Sequence, residues 1–492
     1  MATKMDSYAQ EVSSSNKNFN FDALEKLGYA KKFSEKRVQL YEIISNCSTE
    51  LIRRRTREDV DAIIAGSRGE GMCVSGDSDA DVLFIQRNVK CTDNLHTPLL
   101  SDKMIVTFYL DFENVPSGYS KLRLLTSDNR IYASRNNIEF VINLAEALVE
   151  RNGYQYLRND MPTTLVLRHD RMGWIKQQSV FDDVTGPART LKLEMPMLPE
   201  LFISLDCVLT FKCEYPSVVD DWCKRERKHS WPDKDLIEKV KKLDVLVVPA
   251  GCKGSADEEL QWRISLTLAE QALVHSFNDI QIKLFAALRI IGKQELKPIC
   301  ENITSYVLKN LLFWTFENTE IKDVTKDTFN EILLQLLEQL RMCINWKYLR
   351  SYMIPSKNML QYKIFENERV KLVKRLNLLI QDGRNVLFRC PMVKQISALP
   401  NDELEQMIAF REIFEQEFTA VFLVSASNPE ITAKIWDNDR KPEDVIKVII
   451  DKVLPIIRMH NPKGLFNRLI SLSNESISYC LINGITRGYH KS

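Results

Sequence analysis

Ala65-Gly66-Ser67-Arg68-Gly69-Glu70-Gly71 opens the most informative run of this chain, which continues through Gly76-Asp77-Ser78-Asp79-Ala80-Asp81-Val82-Leu83-Phe84. An apolar segment, Val60–Ile64, leads into Gly66-Ser67. A polar, glycine-punctuated turn follows, and a second apolar segment then carries acids at alternate positions. Side chains at i and i+2 of a strand share a face. Asp79 and Asp81 are therefore expected to project together while Val82 and Phe84 anchor the strand in a core. Two carboxylates at that spacing make an all-oxygen site of the kind Mg²⁺ prefers. A Gly-Ser turn upstream can bring backbone N–H groups and a hydroxyl to a phosphate. Together they describe metal-assisted phosphoryl or nucleotidyl transfer. The alternative is an ordinary hairpin with its acids in water, since Gly-Asp-Ser-Asp is also a turn composition. Gly-Ser followed twelve positions later by Asp-x-Asp within an apolar strand is the more specific pattern.

The 492 residues are enough for two or three domains and a sizeable core. With 67 basic and 66 acidic residues the net charge is +1, so a nucleic-acid partner would need a local patch rather than a global field. Eleven cysteines occur without CxxC pairs, and no apolar run reaches the length of a membrane span. The polar first twenty residues contain no signal-peptide core. Reduced thiols, a cytoplasmic location and no membrane association are the expectation.

Taken in order, residues 1–20 read as a flexible leader, and Phe21–Arg57 as helical, with Leu40, Ile43, Ile44, Cys47 and Leu51 at helical spacing. Lys31, Lys32, Lys36, Arg37, Arg53, Arg54, Arg55 and Arg57 make this segment basic, either as a solvated face or as a phosphate-binding edge. Strand-like runs follow at Val60–Ile64, Val82–Ile85, Met104–Phe112 and Tyr119–Leu125, then a helix over Glu139–Tyr156. Asn159–Pro199 reads as an irregular insertion, and its His169 lacks a second ligand at metal spacing. Leu201–Leu209 is an apolar strand carrying one acid, Asp206. A lone carboxylate in such a strand is costly unless paired or metal-bound, so Asp206 beside Asp79 and Asp81 would complete a three-carboxylate, two-metal site. The alternative is an edge-strand Asp in water.

Beyond Pro216 the chain is expected to be helical to its end. Trp222–His229 is a basic run flanked by tryptophan, a solvated face or a phosphate contact. Trp262-Arg263-Ile264-Ser265-Leu266-Thr267 places polar groups alternately on an extended entry to a helix, where Ser265 or Thr267 can also serve as a cap. The helix that follows has a stripe of Leu273, Phe277, Ile280, Leu284, Leu288 and Ile291, and carries Lys283. A further helix opens at Ser305-Tyr306-Val307-Leu308-Lys309. Its Tyr306 can stack on a purine, and Ser305 and Lys309 can hydrogen-bond a base or triphosphate. A helix is expected over Asn367–Gln381, closed by Asp382-Gly383, with more at 401–424, 442–459 and 464–483.

Four motifs in order, Gly-Ser with Asp-x-Asp, the lone strand Asp, Trp-Arg-x-Ser-x-Thr and Ser-Tyr-x-x-Lys, resemble the nucleotidyltransferase superfamily. Within it they resemble animal cyclic GMP-AMP synthase and the cGAS-like receptors of the Mab-type family. The resemblance covers roughly residues 22–360, and Leu349–Pro355 is similar to the family's end-of-domain segment. It implies an α+β, bilobal fold: a flexible leader (1–20), a spine helix and catalytic core (21–215) and a helical nucleotide-binding lobe (216–392), with a helical C-terminal extension (393–492) lying beyond it. It implies Asp79, Asp81 and Asp206 as catalytic residues holding two Mg²⁺ or Mn²⁺ ions. It further implies Gly66 and Ser67 as the triphosphate cradle, Arg263, Ser265 and Thr267 lining the nucleotide pocket, and Lys283, Ser305, Tyr306 and Lys309 as donor-nucleotide contacts. ATP and GTP would be joined into a cyclic dinucleotide on sensing double-stranded nucleic acid along the spine helix. Vertebrate cyclic GMP-AMP synthase carries a zinc-binding insertion after the Trp-Arg segment, and Ala269–Leu284 runs through without one. Zinc is therefore not expected, and RNA is favoured over DNA as activator. A catalytically silent scaffold and an RNA-end nucleotidyltransferase are the alternatives.

Overall fold

The computed structural model describes residues 19–56, 59–74, 80–96, 106–125, 138–160, 179–181, 188–195, 198–361 and 363–397. The chain opens with two helices, α1 (Phe19–Lys26) and α2 (Lys31–Thr56), divided at Gly28, where one helix was expected. Residues 19 and 20 are packed. The Phe19 ring stacks on Phe388 with centroids 4.2 Å apart, and Asn20 Nδ2 donates to Asn330 Oδ1 at 2.7 Å. Residues 19 and 20, expected in the leader, thus belong to α1.

Strand β1 (Val60–Ala65) leads into a one-turn helix, α3 (Gly66–Gly69), and then β2 (Ala80–Thr92), which runs antiparallel to β1. β3 (Val106–Asp111) and β4 (Tyr119–Leu124) follow as expected. Helix α4 (Ile138–Glu146) is shorter than its periodicity promised, because the chain reverses into the hairpin β5 (Leu148–Arg151) and β6 (Tyr154–Leu157). Asn152 and Gly153 both have positive φ, 53° and 78°, the conformation a two-residue hairpin turn needs. The segment expected to be irregular contains β7 (Ser179–Phe181) and β8 (Arg189–Met195). β8 pairs with the long β9 (Leu198–Glu214). Thr190, Lys192 and Glu194 alternate with Leu191, Leu193 and Met195, a two-residue period between Pro187 and Pro196.

Past α5 (Pro216–Lys224) and α6 (Lys234–Lys241) the chain is not helical throughout. β10 (Val245–Val248) and β11 (Gln261–Ser265) return to the sheet. The strand order is β1-β2-β3-β4-β11-β10-β9-β8-β7, and β2 also pairs in parallel with β9, so six of the strands close on themselves. The remaining helices are α7 (Thr267–His275), α8 (Asp279–Ile291), α9 (Ser305–Glu317), α10 (Phe329–Trp346), α11 (Glu366–Gln381) and α12 (Pro391–Ser397). The single helix expected along the stripe Leu273 to Ile291 is two, α7 and α8. Asn278 starts the second with a reciprocal capping box with Gln281. α11 and its close at Gly383 fall where the sequence placed them.

A large core joins one sheet face to the helices, through Phe84, Cys207, Phe211 and Trp262 among others. The opposite face holds a small apolar patch: Ala65, Leu83, Ile85, Val208, Leu246 and Val248. The edge strand β1 is covered by α2. Thr49 Oγ1 accepts from Ala62 N and Ser45 Oγ from Ile64 N, each at 2.9 Å. Sealing an exposed edge in this way blocks pairing with another chain. No helix among the described residues is long and apolar enough to cross a membrane.

Candidate active site

Asp81 on β2 and Asp206 on β9 are register partners in the parallel pairing. Paired residues on neighbouring strands lie roughly 5 Å apart at Cα and share a face. That face is the one with the small apolar patch, because Leu83 follows Asp81 by two residues and Val208 follows Asp206 by two. The interval of more than a hundred residues between the two acids is closed by the strand pairing. Thr190 on β8, opposite Asp206, donates its hydroxyl to Asp206 Oδ1 at 2.7 Å and fixes that carboxylate. Thr190 was missed because its strand was taken for irregular chain.

Gly66 starts α3 with φ +60°, and Ala65 just before it is paired with Asp81. A Cβ placed on Gly66 would stand 1.8 Å from Asp81 Oδ2. The carboxylate therefore rests against the backbone of the Gly-Ser turn, and only glycine permits that approach. Ser67 lies in this same turn, half-buried. Asp79 lies outside the described residues, as do Gly76, Asp77, Ser78 and His169.

The turn is held from three sides. From α2, Arg37 Nε donates to the Gly71 carbonyl at 2.8 Å, and Arg68 Nη1 donates to Tyr41 Oη at 3.0 Å. From α7, His275 Nε2 donates to the Gly69 carbonyl at 2.9 Å, and burial lowers the His275 pKa. From α9, Lys309 reaches Glu70 at 2.5 Å and Glu270 at 2.9 Å. Burial alone would lower the Lys309 pKa, but the two carboxylates, Glu270 above all, hold it well above the lysine range. Glu70 belongs to the opening stretch, and its role is visible only once α9 is seen to cross it.

Arg263 and Ser265 lie on β11 opposite Val248 and Leu246, and so share the face of Asp81 and Asp206. Ser265 Oγ and Thr267 Oγ1 are 2.8 Å apart. Neither caps α7, whose N-terminus has no side-chain cap. Tyr306 donates its hydroxyl to Glu270 at 3.0 Å, and burial and that carboxylate raise its pKa far above the usual phenol value. Ser305 is exposed at the start of α9. Arg263, Ser265 and Thr267 thus follow one another from β11 into α7, and Tyr306 of α9 reaches α7 through Glu270.

Two of the expected contacts, Lys283 and Lys309, are engaged in internal ion pairs. Lys283 is fully buried, ion-paired to Asp279 one turn earlier and to Glu25 at 3.5 Å, with its ammonium 4.0 Å from the Phe21 ring centroid. It ties α8 to α1 and does not join the pocket residues, because its helical position faces the first helix. Lys309 is near the site but buried between its two acids, a strut of the turn rather than an open ligand contact.

The basic runs also divide. Arg37 is 3% exposed and bonded to the Gly71 and Gly28 carbonyls, whereas Lys32 and Lys36 are exposed on α2. Arg53 pairs with Asp61 at 2.5 Å. Arg57 and the side chains of Arg54 and Arg55 lie outside the description. In the Trp222–His229 run, Arg225 stacks 4.4 Å from the Trp314 ring centroid and Arg227 4.5 Å from Trp222, and both pair with Glu317. These arginines are internal cross-links, so a phosphate role for them falls away.

Asp81 and Asp206 offer only carboxylate oxygen, and a Gly-Ser backbone turn adjoins them, a donor set that fits Mg²⁺ or Mn²⁺. Among the described residues no three of His, Cys, Asp and Glu converge on one point. The pair would supply two ligands, and the third expected one, Asp79, lies outside the described residues.

The sequence family described as the Mab-21 protein HhH/H2TH-like domain matches residues 280–378, the helices α8 to α11. The chain is 28% identical over 172 residues to protein mab-21-like 3 of Danio rerio, covering 33% of this chain and 41% of that protein. It is 24% identical over 286 residues to a cyclic GMP-AMP synthase-like receptor of Magallana gigas, covering 55% and 46% respectively. The matches thus span less than half the length of either relative. A curled sheet with paired acids beside a Gly-Ser turn, followed by helices that match the Mab-21 HhH/H2TH-like domain, is consistent with a Mab-21-type nucleotidyltransferase fold, and the chain is similar to a mab-21-like protein and to a cyclic GMP-AMP synthase-like receptor.

Proposed function

We propose that this protein is a metal-dependent nucleotidyltransferase that joins ATP and GTP into a cyclic dinucleotide second messenger, such as cyclic GMP-AMP, in cytoplasmic innate immune signalling. The observation that carries the reading is the registration of Asp81 with Asp206, with Gly66 pressed against the Asp81 carboxylate. Two carboxylates held side by side repel one another, which a purely structural sheet has no reason to retain. Asp81, Asp206 and Asp79 would hold two Mg²⁺ or Mn²⁺ ions, which when bound activate the attacking ribose hydroxyl and stabilise the departing pyrophosphate. Thr190 orients Asp206, and the Gly66-Ser67 turn cradles the triphosphate. Arg263, Ser265, Thr267 and Tyr306 bind and orient the bases, and two successive transfers would close the ring.

The trigger in this reading is double-stranded nucleic acid, RNA rather than DNA, lying along α2 through Lys32 and Lys36. The side chains joining α2 to the Gly-Ser turn, Arg37 and Tyr41, support it, since movement of that helix is transmitted to the turn. RNA is preferred to DNA in this reading because the sequence Ala269–Leu284 runs through without the zinc insertion associated with DNA.

A second reading, a scaffold without turnover, draws on one observation: Lys283 and Lys309 are committed to internal ion pairs. Mass spectrometry of reactions with four nucleoside triphosphates and Mg²⁺ or Mn²⁺, with no ligand, double-stranded RNA or double-stranded DNA, decides between them. A cyclic dinucleotide made by the native protein and absent with Asp81→Asn supports the first reading. Linear 3′-extension products would indicate an RNA-end enzyme, and intact triphosphates throughout would indicate the scaffold.

A further inference from the structure

Lys357 and Lys363 follow α10, and Lys357 is laid against the strand pair that carries Arg263. The Lys357 ammonium lies 4.7 Å from the centroid of Tyr119, the residue paired with Arg263 across β4 and β11. A Cβ on Gly118 would stand 2.8 Å from Lys357 Cδ and 3.4 Å from its Nζ, so the side chain is laid against that glycine. Its backbone is fixed by Ser351 N donating to the Lys357 carbonyl at 2.9 Å, and the neighbouring Ser356 hydroxyl meets that of Ser117 at 2.6 Å. The Lys363 carbonyl accepts from Asn302 Nδ2 at 2.9 Å. Both lysines are half-buried. Among the described residues, none of the three cations has an acidic partner at ion-pairing distance.

Such a cluster is unfavourable by itself. Burial first, then Arg263 and Lys363, push the Lys357 pKa down to about 7, with Glu270 and the Cys252 thiol opposing weakly. Burial and Arg263 lower Lys363 as well. An incoming anion reverses the balance by supplying the missing counter-charge. The cluster is not the carboxylate site. Arg263 is two strands from Asp206, roughly 10 Å across the sheet. Its partner Val248 is level with Thr210, about 13 Å along β9 from Asp206.

We propose that Lys357 and Lys363, with Arg263, form a second anion subsite that takes a phosphate group of the nucleotide held away from the Asp81–Asp206 pair. This rests on the nucleotide-binding reading above and adds residues that neither the motifs nor the resemblance indicated.

The test is binding of inorganic tripolyphosphate to the full chain in EDTA, by calorimetry, from about pH 6 to pH 9, which brackets the Lys357 titration. Lys357→Met and Lys363→Met are each expected to weaken binding about tenfold near neutral pH. Lys357→Arg, charged throughout, retains affinity at the alkaline end, where the native protein loses it relative to neutrality. Equal affinity of both methionine variants and the native protein, with unchanged melting, would overturn the proposal. So would the absence of native binding. Lysine-dependent tripolyphosphate binding by a protein that makes no product sustains the subsite and removes the enzymatic reading. Product formation indifferent to both lysines does the reverse.

Discussion

At Gly66 a single hydrogen stands where any other residue would place a carbon against the Asp81 carboxylate. Gly66→Ala meets both that contact and a positive φ, a backbone strain of about 1–3 kcal/mol. Displacing the carboxylate by an ångström would cost roughly 10²-fold in turnover, measured as pyrophosphate release. Thr190→Val removes the hydrogen bond to Asp206 without changing side-chain shape, and is expected to raise the metal concentration needed for half-maximal activity about tenfold. Lys357 gives a prediction of opposite kind. Its folded-state pKa lies below the ordinary lysine value, so its protonated form opposes folding. That cost is full below about pH 7 and fades as pH rises towards the ordinary value of 10.5. The melting temperature of the ligand-free native protein, relative to Lys357→Met, should therefore rise with pH across that window. Asp81 and Asp206 were legible as acids in apolar strands. Lys357 was not, because nothing local distinguishes it from a surface lysine until Tyr119 and Arg263 are brought beside it.

The elements show which signals carried. β1, β3, β4, β9 and α11 follow their hydrophobic period closely. β8 also had the two-residue period, but the prolines on either side read as loop and the register with β9 was needed to see it. α4 was overextended because Asn152-Gly153, a strong hairpin signal, lay inside an apparently helical pattern. The return of β10 and β11 to the sheet is a tertiary outcome, since Val245–Val248 is too short for periodicity to assign. The strut between elements is Lys309, which joins α9 to Glu70 of the turn and Glu270 of α7. Lys309→Met would leave two buried carboxylates without their cation and should destabilise the fold by about 3–5 kcal/mol in urea titrations. The sequence offered Lys309 as a ligand contact because its i+3 spacing from Tyr306 was visible and its acidic partners were not.

For the whole molecule, the arrangement is a curled sheet whose functional face is bordered by α2 on one side and by α7 and α9 on the other. The Gly-Ser turn touches all three helices, so in the proposed reading any ligand that shifts α2 against the sheet acts on the Asp81–Asp206 pair through that turn. Pyrophosphate release from ATP and GTP with Mn²⁺, with and without double-stranded RNA, compared between the native protein and Asp206→Asn, tests this account most directly. The prediction is release stimulated by the RNA and reduced about a thousandfold or more by the substitution, at unchanged melting temperature. Release that is equal in the two proteins, or missing from both with every double-stranded ligand, would contradict it.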